Sequence, residues 1–427
     1  MCFDNGKERR RIQLIIVADD FTGAMDTAVQ FVKQGIATMV TSCMDIDQMK
    51  FDSSLKVLAV NTNSRHDHPE KAYQKVQRII KKSEKLHIKY IYKKTDSALR
   101  GNVGKELEAV WKETKVNVLP FIPAYPANNR ITVDGCQYVD GMPVNLSKPG
   151  KDLFTPVESA LIAEIIHKQS NVPVTHTSFW EEEKPFRGIC VYNASSDEEL
   201  KEIGEVLKTR NQMAVTAGCA GFAKFVPKTL KLSSVFGRLK VKQGNVLVVS
   251  GSINEISLNQ MAYMRQKGIS GVTLATMDPF DHLPEILERA HRGIQEQGIF
   301  LLESIYSIEQ IDRTEEQLKK NRITILEKLV VAVKNILQSI TIDVLFVIGG
   351  DTLQGIMKEM NYEGIIPECE LIPGVVLGIV NGGHLQIISK SGGFGNENVI
   401  ELALEQMKSL QEPLYNAEQE RGYEIDI

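Results

Sequence analysis

The feature that most constrains this chain is a rhythm. Short apolar, β-prone runs alternate with longer amphipathic stretches along most of its length. IQLIIVA (12–18), ATMVTS (37–42), VLAVNTN (57–63), IKYIYKK (88–94) and VNVLPFIPA (116–124) are each four to nine residues of strand-forming side chains. Between them, Thr27 to Gln34 places Ala28, Phe31 and Val32 on one helical face, and 69–86 has the same helical period. Strands that recur between helices in this way pair in parallel, because a helical crossover returns the chain to the same edge of the sheet. The fold class expected is α/β.

The rhythm loosens over 125–160, where Gly, Pro and Asn predict long loops and short hairpins, and resumes at RGICVYNAS (187–195) and MAVTAGCAGFA (213–223). Residues 224–244 are basic, broken by Pro227, Gly237 and Gly244, and form the expected linker. A second series then opens with NVLVVSGS (245–252), VTLATM (272–277), GIFLLES (298–304) and IDVLFVIGG (342–350). With 427 residues, the chain is too long for one small core. Two domains are expected, 1–240 and 241–427, each a mostly parallel sheet flanked by helices, with the active site in the cleft between them.

A net charge of −4 supplies no global field toward nucleic acid or an anionic membrane, so neither partner is expected. The six cysteines lie far apart without a CxxC pair, which fits a reducing compartment and idle thiols rather than a disulfide or zinc scaffold. The apolar run 12–18 is too short for a signal peptide, and no stretch has the length of a membrane span, so a cytoplasmic protein is expected. A homo-oligomer is left open.

Chemistry-bearing residues cluster just after the strands, where open α/β sheets bind ligands. The first strand runs into ADDFTGAMD (18–26), giving Asp19 and Asp20, then Thr22 and Gly23 at a helix start; Asp20 or Thr22 equally suits a helix cap. KKTDSALRGNVG (93–104) gathers Lys93, Lys94, Asp96, Ser97, Arg100 and Gly101. Arginine matches a carboxylate while Asp and Ser bind hydroxyls, so the segment suits a substrate that is both anion and polyol. NTNSR brings Arg65 to the same crevice, and PAYPANNR offers Arg130 more weakly, as a residue that also fits a solvated loop. In the second half, VSGSIN (Ser250, Gly251, Ser252), IGGDT (Gly349, Gly350, Asp351, Thr352) and SKSGGFGN (Gly393, Gly395) end strands in small residues whose amides can approach a phosphate. The P-loop pattern, G-x-G-x-x-G after the first strand, HExxH and GxSxG do not occur.

ADDFTGAMD, NSR, KKTDSALRGNVGKELEA, PAYPANNR, TAGCAGFA, GGDT, the PGV of 373–375 and KSGGFG, in that order over nearly the whole chain, resemble the four-carbon acid sugar kinase family. The resemblance implies an ATP-dependent kinase acting on the terminal hydroxyl of a small sugar acid, with D-threonate or D-erythronate favoured by the KKTDSALRG form. It implies an acid-binding N-terminal domain, with contacts from Asp20, Arg65 and Lys94 to Gly101, and a nucleotide-binding C-terminal domain, with contacts from Ser250–Ser252, Gly349–Thr352, Gly393 and Gly395. On that basis Arg65, Lys94 and Arg100 are expected to hold the carboxylate, Asp20 and Asp96 the hydroxyls, and the glycine turns ATP with Mg²⁺. Asp351 and Asp20 are both candidates for the base, and no metal ligand is assigned. A nucleotide-dependent oxidoreductase and a non-catalytic binding protein for similar acids are the rival readings.

Overall fold

The computed structural model describes residues 12–152, 154–181, 185–232, 241–305 and 315–410, with backbone only for 315–323. The N-terminal residues 1–11 and the expected boundary near 240 lie outside the described residues. Within the expected linker, a short helix occupies Val226–Leu230 and 233–240 fall outside the description.

The first half contains β1 (Leu14–Ala18), α1 (Phe21–Val32), β2 (Thr38–Thr41), β3 (Val57–Asn61), α2 (Pro69–Lys85), β4 (Tyr90–Lys94), α3 (Val103–Thr114) and β5 (Val118–Ile122). There follow β6 (Arg130–Val133), β7 (Cys136–Val139) and β8 (Met142–Pro143), then α4 (Ile162–His167), β9 (Val174–Thr177), β10 (Gly188–Tyr192), α5 (Asp197–Thr209), β11 (Val215–Gly218), α6 (Ala220–Ala223) and α7 (Val226–Leu230). The second half runs β12 (Val246–Ser250), α8 (Glu255–Gln266), β13 (Gly271–Thr273), α9 (Pro279–Gln297), β14 (Ile299–Glu303), α10 (Glu315–Ser339), β15 (Val344–Ile348) and α11 (Gly350–Glu359). It closes with β16 (Ile365–Ile372), β17 (Val375–Val380), β18 (Gln386–Lys390) and α12 (Val399–Ser409).

All the strands of both halves except β6 to β8 join one sheet, in the order β13-β14-β12-β15-β18-β17-β16-β2-β3-β1-β4-β11-β5-β10-β9. β1, β3, β4, β11, β5, β10 and β9 pair in parallel, as do β13, β14, β12, β15 and β18. Between these two parallel blocks, β16 and β17 pair antiparallel, and β16 meets β2 at a single register pair, Ile365 with Val40. β6, β7 and β8 form the small separate sheet that the hairpin-like 125–160 region leads to.

The central strands carry a buried side chain at every position, as a sheet covered on both faces requires. Helix α1 is the pivot. Phe21, Ala24, Met25, Ala28, Val29 and Phe31 are all buried, so it is apolar almost all round, the signature of a helix with neighbours on every side. It packs on β2 and β3 of its own half and on α11 and β16 of the other. Burying each of its phenylalanines contributes about 1.5–3 kcal/mol to that junction.

Candidate active site

Two sets of strand ends face one another across a cavity of about 500 Å³. The N-terminal half contributes Asp20, Arg65, Ser97 and Arg100 to its wall; the C-terminal half contributes Gly251, Ser252, Gly349, Gly350, Asp351, Thr352 and Gly393. A smaller polar chamber behind Asp20 adds Lys94, Asp96, Asp26 and Tyr125. The expected residues from opposite halves therefore meet in one place.

The acidic end of β1 is fixed by Arg65. Its Nε donates to Asp19 Oδ2 at 2.6 Å and its Nη2 to Asp20 Oδ1 at 2.8 Å, with Asp96 Oδ1 at 3.6 Å. Asp20 is also the N-cap of α1: Oδ1 accepts from the Gly23 amide at 3.0 Å, and Oδ2 accepts from the Thr22 hydroxyl at 2.6 Å. The cap expected of Asp20 is thus formed by a carboxylate that also lines the cavity. Arg100 grips Asp96 through Nε (2.7 Å) and Nη2 (2.9 Å), and its Nη1 reaches Asp152 at 3.3 Å. Beneath them, the buried Lys93 ammonium pairs with Glu106 at 2.8 Å and donates to the carbonyls of Val17 and Lys94.

Burial raises the cost of ionising these carboxyls, but the guanidinium groups outweigh it. Asp19 is held below its usual range by Arg65, Lys93 and Lys94, and Asp96 far below it by Arg100 and Arg65. Burial likewise disfavours the Arg65 charge, and Asp19, Asp20 and Asp96 more than restore it. Asp26 behaves differently: burial pushes its carboxyl up to about 7 against the pull of Lys94.

The C-terminal wall is built for close approach of an anion. Gly349 has φ +116°, and α11 begins directly after it with no side-chain cap on its first amides, where Gly349 to Thr352 line the cavity. A Cβ on Gly251 would stand 2.0 Å from Thr352 Oγ1, and one on Gly392 would stand 2.2 Å from Ser252 Oγ, so both turns pack too tightly for a side chain. Gln260 ties the glycine loop down, donating to the carbonyls of Phe394, Gly395 and Asn396. Lys390 is fully buried beneath it, and burial lowers its ammonium to about 7. A phosphate chain fits this surface. Among the described residues no group of three or more His, Cys, Asp or Glu side chains converges as a metal site. Mg²⁺ carried in on a nucleotide would need only one or two carboxylates beside the phosphates, and Asp20 and Asp351 both line the cavity.

The halves touch at the centre. A methyl group added to Gly350 would lie 3.1 Å from Asp20 Oδ2 and 3.4 Å from Thr22 Oγ1. Asp351 Oδ2 stands 4.0 Å from His66 Nε2, a residue the sequence reading passed over although it directly follows Arg65. Asp26, Tyr125, Asp152 and Phe154 were passed over too; Asp26, within ADDFTGAMD, and Tyr125, within PAYPANNR, carried a local signal.

Four expected contact residues stand behind the wall. Asp19 is buried and serves Arg65; a Cβ on Gly101, which has φ +83°, would stand 2.9 Å from the Arg65 carbonyl, so the glycine lets that backbone pass. Ser250 is sealed in β12, and Gly395 packs against Val399. Of the three residues expected to hold a ligand carboxylate, Arg65 is already engaged by protein carboxylates through Nε and Nη2 and Arg100 through all three of its nitrogens, while Lys94 Nζ donates to the Thr95 carbonyl. After Ser252, Ile253 lines the cleft and Asn254 caps α8, its Oδ1 accepting from Ile256 N at 2.9 Å.

No described helix is long and apolar enough to cross a membrane. The chain is 27% identical over 418 residues to D-threonate kinase of Salmonella typhimurium, covering 91% of this chain and 97% of that one. It is 26% identical to D-erythronate kinase of Heliobacterium modesticaldum, covering 90% and 94%. It is 22% identical to 3-oxo-tetronate kinase of Pseudomonas fluorescens, covering 92% and 96%. A crystal structure from Salmonella typhimurium LT2 shares the fold, with a TM-score of 0.75 over 91% of this chain and 98% of the other at 17% identity. A Haemophilus influenzae structure does so at 0.67, over 92% and 100%, also at 17% identity. Residues 14–226 match the model of a sugar-binding N-terminal domain, and 247–400 that of a nucleotide-binding C-terminal domain. With the two domains in this order across both faces of one cleft, the chain belongs to the four-carbon acid sugar kinase family.

Proposed function

We propose that this protein transfers the γ-phosphoryl group of ATP to the terminal hydroxyl of a four-carbon sugar acid, D-threonate or D-erythronate. The observation that carries the reading is the meeting of Asp20 and Thr22 with Gly350, because it brings hydroxyl-binding groups of one half against the phosphate-binding turn of the other. The half ending before 240 takes the acid and the half from 241 takes the nucleotide. ATP supplies the electrophilic phosphorus, with Mg²⁺ to neutralise its oxygens.

The first turn of α11 and the turns at Gly251 and Gly393 hold the phosphates by backbone N–H. Asp96 and Ser97, with Asp20, orient the hydroxyls. The acid's terminal oxygen forms the new O–P bond as the bond to the leaving ADP breaks, and its proton passes to a carboxylate. We assign that proton to Asp351. Asp20 already accepts from Thr22, Gly23 and Arg65, which makes it a fixed acceptor, while about a third of the Asp351 side chain is open to the cleft. Positioning and charge stabilisation carry most of such a reaction, so a strong base is not required. A reaction that draws on ATP fits the cytoplasm.

The test is ADP release in a coupled assay over D-threonate, D-erythronate and 3-oxo-tetronate, with and without Mg²⁺. Turnover of one acid that depends on Mg²⁺ is expected. ATP binding without turnover of any acid would leave a non-catalytic binding protein, and reduction of a nicotinamide cofactor by the same acids would leave an oxidoreductase.

A further inference from the structure

Three arginines line the cleft, and they are not equivalent. Arg65 and Arg100 are each locked onto aspartates, so their charge is already balanced by the protein. Arg130 is not. It is 7% exposed, and its Nε is buried with no hydrogen-bond partner. Its nearest carboxylate, Asp140, is 3.9 Å away on a side chain more than half exposed. Its other polar contact is a neutral one, Nη1 to the Asn128 carbonyl. The two balanced guanidinium groups are shifted up, whereas burial shifts Arg130 down with only remote acids to oppose it.

A buried guanidinium short of both a hydrogen bond and a counter-charge is costly in an empty site and gains most from an anionic ligand. The fold holds Arg130 there deliberately. Asn129, at φ +54°, turns the chain back so that Tyr125 and Arg130 exchange backbone hydrogen bonds, at 2.7 and 3.1 Å, at the start of β6. β7 is tied to the acid side of the cleft, Gln137 donating to the Ser97 carbonyl at 3.0 Å. From the other half, the Phe394 ring of the glycine loop lies under the guanidinium, 5.5 Å from ring centroid to Cζ. That contact fixes the plane of the fork without using any of its N–H donors.

We propose that Arg130, packed on Phe394, binds the carboxylate of the acid substrate. This rests on the kinase reading above and deepens it, moving the carboxylate from Arg65 and Arg100 to the arginine whose donors and charge are least committed. Phosphate oxygens have their own donors in the amides of α11 and the glycine turns. The Arg130 fork comes from the acid-binding half, beside Asp96 and Ser97, and it meets the nucleotide half only through an aromatic face.

The experiment compares each acid with its primary amide, which keeps every hydroxyl and loses only the charge. Wild-type enzyme is expected to favour acid over amide by about 10²-fold in kcat/KM, the scale of a buried charge-assisted pair. Turnover of the acid by the wild type tests the kinase reading on its own. In Arg130→Gln the acid KM should rise about 10²-fold and the acid-to-amide preference should fall below ~10, with the nucleotide Kd unchanged. Arg130→Lys should recover part of the preference, and it also serves if Arg130→Gln fails to fold. Wild-type turnover with an undiminished preference for the acid in Arg130→Gln, or in Arg130→Lys should the first not fold, would overturn the assignment. A weakened nucleotide Kd at an unchanged acid KM would also overturn it, and give Arg130 to the phosphate chain.

Discussion

Replacing Arg65 by Met should expose how the acidic end of β1 is kept ionised. Met conserves much of the apolar stem and removes the guanidinium, which holds Asp19 at 2.6 Å and Asp20 at 2.8 Å in a site where the Arg65 side chain is 11% exposed. Breaking a buried pair by removing one partner costs about 3–5 kcal/mol, because the other partner stays buried and charged. The cost must depend on pH. In the wild type the Asp19 carboxyl lies below its unfolded value, so its contribution to stability is present above about pH 4 and lost as pH falls through the folded value. Without Arg65, burial becomes the dominant influence on Asp19 and its value should rise above the unfolded one. Ionisation then opposes folding, by about 1.4 kcal/mol per pH unit until the shifted value is passed. Arg65→Met should therefore lose about 3–5 kcal/mol at pH 7.5 and half of that or less at pH 4.5. Urea unfolding followed by tryptophan fluorescence measures the right part of the molecule, since both tryptophans, Trp111 and Trp180, lie in the N-terminal half. A penalty equal at the two pH values would refute the argument and reduce Arg65 to a packing residue.

Asp351→Asn should lower kcat by at least ~10²-fold at a nearly unchanged acid KM; near-normal turnover in steady-state kinetics would return the base to Asp20. Gly251→Ala places a methyl group 2.0 Å from Thr352 Oγ1, so calorimetry should show nucleotide affinity reduced about tenfold, with the thermal transition lowered by the ~1–3 kcal/mol of an overpacked site. Acid binding should be unaffected. Asp26 has a folded value of about 7, above its unfolded one, so its ionisation removes stability as pH rises from about 4 through 7. Asp26→Asn should raise stability by about 1–2 kcal/mol at pH 8, less than the full linkage because the residue is only half-buried, and the gain should vanish near pH 4. A gain that is flat with pH would contradict this.

Local pattern carried much of this architecture. The apolar runs beginning at 12, 57, 245 and 342 became β1, β3, β12 and β15, because a fully buried strand writes itself into consecutive residues. The glycine turns and Asp20 were legible for the same reason: strand end, small residue and helix start are neighbours in sequence. β16 and β17 were not. Their role depends on Val40 lying beside Ile365, more than three hundred residues away, and no local period encodes that pairing. The arginines show the same limit. Arg65, Arg100 and Arg130 look alike in a motif, and what separates them is which carboxylates the fold has already placed on each. Asp26 was legible as part of a motif, but its raised titration comes from burial under other elements, opposed by Lys94 and reinforced by Glu370 from the far half of the chain.

The order and sense of the strands also explain how the two strand ends come to share a cleft. β1 and β15 run in opposite senses through the hydrogen-bonded ladder, which in a flat sheet would send their carboxyl ends to opposite edges. Six interstrand steps separate them. At roughly 20–25° of twist per step, the sheet turns through about 120–150° between the two, nearly a half-turn, and this swings Asp20 and Gly350 back toward one another. The β16–β17 hairpin is thus an angular spacer as well as a bridge. Removing it would keep the alternation of strand sense but withdraw about 40–50° of rotation, leaving acid-binding and phosphate-binding ends aimed past each other.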